Sequence, residues 1–172
     1  DFLRFSLHVD GTSTLRTELM HTRAYFNIQK YRFEDRIVLN DEVDEALYDM
    51  EVLPLILQPL VENAILHGVL KAENIRGIIR IRGWLENDSL RLEVADNGLG
   101  MDADRLAQGI EMLDTDDAGP NGTGLRNVHR RIRFRYDEPY GLEIVSSPGQ
   151  GTRCVAMLPA CRKDHAGSSA DA

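Results

Sequence analysis

Residues 54–68, PLILQPLVENAILHG, decide how the rest of this chain is read. The recurrence of apolar residues predicts one helix that starts near Val52, tolerates Pro54 in its first turn and is kinked by Pro59 just before Glu62. Positions i and i+4 share a helix face, so Asn63 and His67 point the same way with Glu62 beside them. Leu57, Val61, Ala64 and Ile65 turn toward a core. A carboxylate, an amide and an imidazole on a helix otherwise suited to burial need either solvent or a ligand to satisfy them. Taken alone, the helix is compatible with both, and the decision falls to the flanking sequence.

Upstream, Thr14 and Glu18 stand near an N-terminal cap for a helix over 15–32, LRTELMHTRAYFNIQKYR, whose apolar residues fall at helical spacing. Either this helix packs on its own domain or it forms a contact between chains. Residues 1–13, with Phe2, Leu3, Phe5 and Leu7, read as the end of a helix that begins earlier. The β-branched run 36–43 reads as a strand. Downstream, the alternating runs 78–86 and 89–96 flank Asn87 and Asp88, a hairpin signal. A glycine-punctuated stretch then follows Asp96, with room for a short helix at 103–109 and an acidic segment at 114–121. A helix resumes at Thr123, with Leu125, Val128, Ile132 and Tyr136 facing inward, and two strands joined by PGQG end the ordered sequence. Residues 161–172 read as a disordered tail.

Composition narrows the function classes. The 172 residues are 42% hydrophobic and 28% charged, ordinary for one globular domain. A net charge of −8 with pI near 5.1 disfavours a protein whose main task is to grip a polyanionic backbone, so no nucleic-acid partner is expected. The basic run Arg126, His129, Arg130, Arg131, Arg133 and Arg135 accordingly reads as a solvated helix face with one or two arginines near phosphate. Cys154 and Cys161 lack the spacing of a zinc site or a disulfide framework.

Two further stretches carry chemistry. Asp96, in DNGLG at a strand end, is a pure acceptor, and Gly98 and Gly100 permit close approach of the backbone to a flat ligand. Asp-Asn-Gly also suits a hairpin turn, but no strand returns directly after it. An ionised carboxylate accepts from an exocyclic amine and repels a carbonyl oxygen, so it favours adenine over guanine. In GPNGTGLRNV, residues 119–128, glycines lead into a helix, and the free N–H groups and dipole there suit phosphate oxygens. A flexible hinge is the alternative for this stretch. Asn63 would offer a neutral oxygen to a hard cation such as Mg²⁺, Glu62 a general base, and His67 a contact to phosphate, with the segment between them closing as a lid.

This ordered set resembles the GHKL ATPases. LVENAILHG is similar to their N box, DNGLGM to the G1 box, GTGL to the G2 box, and GQGT at 149–152 to the turn before the last strand, together covering about 33–159. QPLVENAILHG, YFNIQKYRF and GLRNVHRRIRFRY further resemble sensor histidine kinases of the LytS-like class. The resemblance implies an α/β (α+β) two-layer sandwich of the Bergerat type, with a mixed, largely antiparallel sheet packed on helices. It also implies ATP and Mg²⁺ as cofactors. It assigns Asn63 to the metal, and Glu62, Asn63 and His67 to catalysis. Asp96, Gly98, Gly100, Met101, Gly122, Thr123, Gly124, Leu125 and Thr152 are assigned to the nucleotide.

The implied function is the catalytic domain of a two-component sensor histidine kinase. Its implied partners are a phosphoacceptor histidine region on the same or a sister chain and a response regulator. The domain would be cytoplasmic, within a membrane-anchored homodimer. Neither His8 nor His21 matches a phosphoacceptor motif, so both read as surface helix residues. Met112 and Leu113 are the nearest counterparts of the phenylalanine-bearing box of many such kinases. Other GHKL enzymes, such as a serine kinase, or a non-catalytic ATP-sensing module remain the alternatives. The expected division is a helical segment at 1–32, an ATP-binding domain at 33–160 and a tail at 161–172.

Overall fold

The computed structural model describes residues 11–33, 36–72, 76–115 and 123–162. Five strands form the main sheet in the order β2-β4-β5-β7-β6: β2 (Ile37–Glu42), β4 (Gly77–Glu86), β5 (Ser89–Asp96), β7 (Thr152–Pro159) and β6 (Gly141–Ser146). Only β2 and β4 run parallel, and the other neighbours are antiparallel. The helices are α1 (Leu15–Arg32), α2 (Leu57–Asn63), α3 (Ala103–Asp114) and α4 (Thr123–Tyr136). Two short strands, β1 (Ser13–Thr14) and β3 (Glu51–Val52), pair separately. The fold is thus the expected mixed, largely antiparallel sheet packed on helices.

Strand alternation builds the two faces. Ile79 and Ile81 of β4, Leu90 and Leu92 of β5, and Ala156 and Leu158 of β7 are fully buried beneath the helices. Leu15, Leu19 and Phe26 of α1, Leu57, Leu60 and Val61 of α2, and Val128 and Ile132 of α4 fill the space above them. Each such side chain contributes about 1.5–3 kcal/mol by leaving water. The opposite face of the sheet carries charges in cross-strand pairs, among them Arg82–Glu42 at 2.9 Å and Arg91–Glu143 at 3.4 Å. Exposed pairs of this kind contribute little, and they keep that face wet.

Local signals explain most boundaries. Thr14 Oγ1 accepts from the Thr17 N–H at 3.3 Å and caps α1. Asn87 and Asp88 take φ of +46° and +59°, the left-handed pair that a two-residue hairpin requires. Helix α3 runs past the expected 103–109 to Asp114, because Asp102 caps it through the Arg105 N–H at 2.8 Å and Leu113 is buried in the core. Met112 stays exposed.

Several expectations need correction. The central helix begins at Leu57, not near Val52, because Glu51 and Val52 pair with β1 and Leu55 turns at φ +55°. Pro59 therefore lies in the first turn, where its missing N–H leaves no bond unmade, and it produces no kink. The irregularity comes after Asn63, as a π-helical turn over Ala64–Gly68 followed by a 3₁₀ turn at Val69–Lys71. Glu18 does not fold back as part of a capping box but crosses to another segment, described below.

The basic run on α4 is not one solvated face: Arg126 and His129 are buried, and Arg131 reaches the Pro54 carbonyl at 2.6 Å. Helix α1 packs on its own domain, chiefly against α2, and leaves Met20, Ile28 and Tyr31 exposed on its far side, with His21 also at the surface. The Glu51 N–H donates to the Cys161 carbonyl at 2.7 Å and Met50 bridges Arg162, so the ordered sequence extends past 160. The rest of the expected tail, residues 163–172, lies outside the described residues, as do 1–10, with His8, and 116–122, with most of the expected lid.

Candidate functional site

The end of β5 and the π turn after α2 meet at a pair of glycines. A Cβ on Gly68 would lie 2.6 Å from Asp96 Oδ1, and a Cβ on Gly98 would lie 2.2 Å from the carbonyl carbon of Gly68. Both are far inside contact distance, so only hydrogen lets the DNGLG loop settle on the helix that carries Asn63. The Asp96 carboxylate accepts from the Gly98 N–H at 2.8 Å and is faced by the Thr152 N–H. Burial raises the Asp96 pKa above the usual carboxylate range, and those two N–H groups partly offset the rise. A half-buried carboxylate on a cradle of glycines has spare acceptor capacity for a ligand donor.

The turn between β6 and β7 closes this end. Gly100, at φ +66°, would place a Cβ 1.9 Å from the Ser147 carbonyl oxygen, and Gly151, at φ +77°, would place one 1.9 Å from the carbonyl oxygen of Asp96. Ser146 Oγ accepts from the Met101 N–H at 2.9 Å and lies 2.9 Å from Thr152 Oγ1. Asp96, Gly98, Gly100, Met101 and Thr152 therefore stand together. Asn97 does not join them: its side chain accepts from the Ile78 N–H at 2.7 Å and donates to the Arg76 carbonyl at 3.1 Å, which seals the edge of β4.

Glu62 and Asn63 sit half-buried at the end of α2, one π turn before Gly68. Glu62 Oε1 accepts from Gln58 Nε2 at 2.9 Å, leaving Oε2 for other partners. Asn63 is half-buried, and among the described residues its carboxamide has no hydrogen-bond partner. No cluster of three or more His, Cys, Asp or Glu residues suited to a metal occurs among the described residues. A cation at Asn63 would thus draw most of its ligands from phosphate oxygens and water, the habit of Mg²⁺. These residues fit the ion on that ground.

His67 is exposed, and its Nδ1 lies 3.3 Å from Lys71 Nζ, which donates to it. Partial burial, then Lys71 and then Arg105 of α3 lower its pKa, and the two cations give it a positive field suited to an anion. Helix α4 begins across from α2: a Cβ on Gly124 would come 3.8 Å from Pro59 Cβ. Leu125 is half-buried against the core. Gly122 lies outside the described residues, and Thr123 opens α4.

Asp96 on its glycines, the end of α2 with Glu62 and Asn63, and the start of α4 thus lie on elements that pack against one another. A search of protein families matches residues 49–162 to the histidine kinase-, DNA gyrase B-, and HSP90-like ATPases. The chain belongs to this family. This is the ATPase family that the resemblance implied.

Among its relatives, the sensor histidine kinase YesM of Bacillus subtilis is 35% identical over 163 residues, which is 94% of this chain and 26% of that protein. The sensor protein kinase HptS of Staphylococcus aureus is 35% identical over 161 residues, 93% of this chain and 30% of the relative. The chain thus spans under a third of the length of these two relatives. Among solved structures, the catalytic domain of histidine kinase ThkA superposes with a TM-score of 0.62 at 17% identity, over 89% of this chain and 98% of that one. The mycobacterial sensor histidine kinase MprB gives 0.59 at 14%, over 89% and 99%. At such identities the structural likeness concerns the fold.

Sequence reasoning missed Gly68, Ser146 and Gly151 as site-forming residues of the ATPase domain. Both glycines stood in quoted motifs, Gly68 in LVENAILHG and Gly151 in GQGT, but nothing in either marked Gly68 as the seat of Asp96. Gly68→Ala is expected to push the carboxylate aside and weaken ATP binding about tenfold, near 1.4 kcal/mol. Calorimetric titration of the variant with ATP checks this.

Proposed function

We propose that this domain binds Mg²⁺ and ATP together and passes the γ-phosphoryl group to a histidine on a helical region beyond these 172 residues, on the same or a sister chain. The observation that carries the reading is the carboxamide of Asn63, without a hydrogen-bond partner among the described residues, beside Glu62 and one turn from the glycine cradle of Asp96. Asp96 accepts from the exocyclic amine of adenine, with Gly98, Gly100, Met101 and Thr152 shaping the pocket. Gly122, Thr123, Gly124 and Leu125 form the phosphate end, where the start of α4 offers N–H groups. Asn63 would hold Mg²⁺, which supplies charge neutralisation between phosphate oxygens.

In the transfer, an imidazole nitrogen of the acceptor histidine attacks the γ-phosphorus while its bond to the β,γ-bridging oxygen breaks and ADP leaves. Glu62 orients the imidazole and receives its proton, and His67 with Lys71 and Arg105 stabilises the phosphates. YesM and HptS are sensor kinases by name, which supports a LytS-like kinase that works as a membrane-anchored homodimer and hands its phosphoryl group to a response regulator. No helix of the described residues is long and apolar enough to cross a membrane.

The test is the longer natural chain incubated with γ-labelled ATP. Acid-labile, base-stable label that disappears in Glu62→Gln is the expected result. ATP binding without any such label would instead favour a non-catalytic nucleotide sensor.

A further inference from the structure

A buried carboxylate lies outside the nucleotide pocket. Glu18 of α1 is only 2% exposed, yet it faces no ligand position. Its Oε2 accepts from the Ile56 N–H at 3.0 Å, and the N–H groups of Leu55 and Leu57 also face it. The same short segment is held from the other side by Arg131 of α4, whose guanidinium donates to the Pro54 carbonyl at 2.6 Å and feels the charge of Glu18. Between these two grips, Leu55 adopts φ +55°. A leucine there costs on the order of 1–2 kcal/mol and persists only where its surroundings dictate the turn. That turn sets where α2 starts, and hence where Glu62 and Asn63 end up.

The contact has a second point. Tyr25 lies seven residues after Glu18, on the same face of α1 and about 10 Å further along it. Its phenol is within electrostatic reach of Glu62. Helix α1 therefore holds the start of α2 through Glu18, and further along it carries Tyr25 within electrostatic reach of Glu62.

We infer that Glu18 is a positioning residue for the magnesium-binding side of the site, holding the start of α2 in register with α1 so that Asn63 and Glu62 meet the phosphates. A displacement of α1 along its axis is then transmitted to those two residues, while Asp96, carried by β5, stays in place. This rests on the reading of Asn63 as the metal-facing residue.

The experiment compares the 172-residue chain with Glu18→Gln. ATP affinity is measured by calorimetry in Mg²⁺ and in chelator, alongside thermal unfolding. Glutamine is isosteric but offers one acceptor oxygen and a mismatched amide to a cluster of N–H donors. Mg²⁺-free ATP binding should be unchanged, and the gain in affinity from Mg²⁺ should fall about tenfold, whatever the unfolding temperature does.

A purely structural cap would instead lower the unfolding temperature and leave the Mg²⁺ gain intact, and that outcome overturns the inference. If the unaltered chain shows no Mg²⁺ gain, the reading of Asn63 has failed and the inference falls with it. Should Glu18→Gln not fold, Arg131→Lys decides: it keeps the charge but loses the planar fork at Pro54. The same selective loss is expected there, and its absence overturns the proposal.

Discussion

Replacing Asp96 by alanine is expected to lower ATP affinity by about 100-fold, near 2.8 kcal/mol, with little change in fold stability. In the proposed function the carboxylate is the acceptor for adenine; its partners are the Gly98 and Thr152 N–H groups, and it stands on the Gly68 cradle. Removing it leaves the exocyclic amine of the base without a charged acceptor in a half-buried pocket. Discrimination between ATP and GTP should collapse together with affinity, because the same carboxylate repels the guanine carbonyl.

The pH dependence follows from the direction of the shift. Burial raises the Asp96 pKa, so the acceptor is lost by protonation at a higher pH than an exposed aspartate would require. ATP affinity should therefore fall on acidification through that raised pKa. Fold stability moves the other way, since a carboxyl group with a raised folded pKa stabilises most below its unfolded pKa and loses that contribution as pH rises through the folded one. Titrations with ATP across the acidic range, beside thermal unfolding at the same pH values, separate the two trends. An affinity that is flat with pH until the protein unfolds would speak against Asp96 as the base contact.

The second large effect is expected at Asn63. Asn63→Ala should leave Mg²⁺-free ATP binding near its original value and remove the gain from Mg²⁺. In the longer chain, phosphoryl transfer should drop by at least about 100-fold, because in the proposed function the Asn63 carbonyl is the domain's own contact to the cation. The fold should be untouched, since this half-buried side chain has no hydrogen-bond partner among the described residues. Equal loss of affinity with and without Mg²⁺ would place Asn63 in the general binding surface instead.

What was legible in the sequence was what local chemistry dictates. The 15–32 helix, capped by Thr14, and the hairpin at Asn87 and Asp88 follow from spacing and turn preference. Asp96 and Thr152 were legible because their motifs stand in a recognisable order. What escaped was decided by contacts between distant residues. Leu55 takes a left-handed turn because Glu18 and Arg131 grip the peptide groups around it, and no leucine announces that. The π turn at Ala64–Gly68 and the choice of glycine at 68 answer to Asp96, which lies on another element. The basic run on α4 read as a surface because its charges are local, whereas the burial of Arg126 and His129 depends on α4's neighbours. His129 Nδ1 accepts from the Leu142 N–H at 3.0 Å, which leaves Nε2–H to face Asp114 at 3.1 Å.

Calorimetric titration of this 172-residue chain with ATP, in Mg²⁺ and then in chelator, with GTP as the competitor, tests the central claim most directly. Saturable ATP binding strengthened by Mg²⁺, with GTP bound far more weakly, is the predicted result. No saturable heat at about millimolar ATP, or equal binding of the two nucleotides, would contradict a site in which Asp96 reads adenine and Asn63 faces the metal.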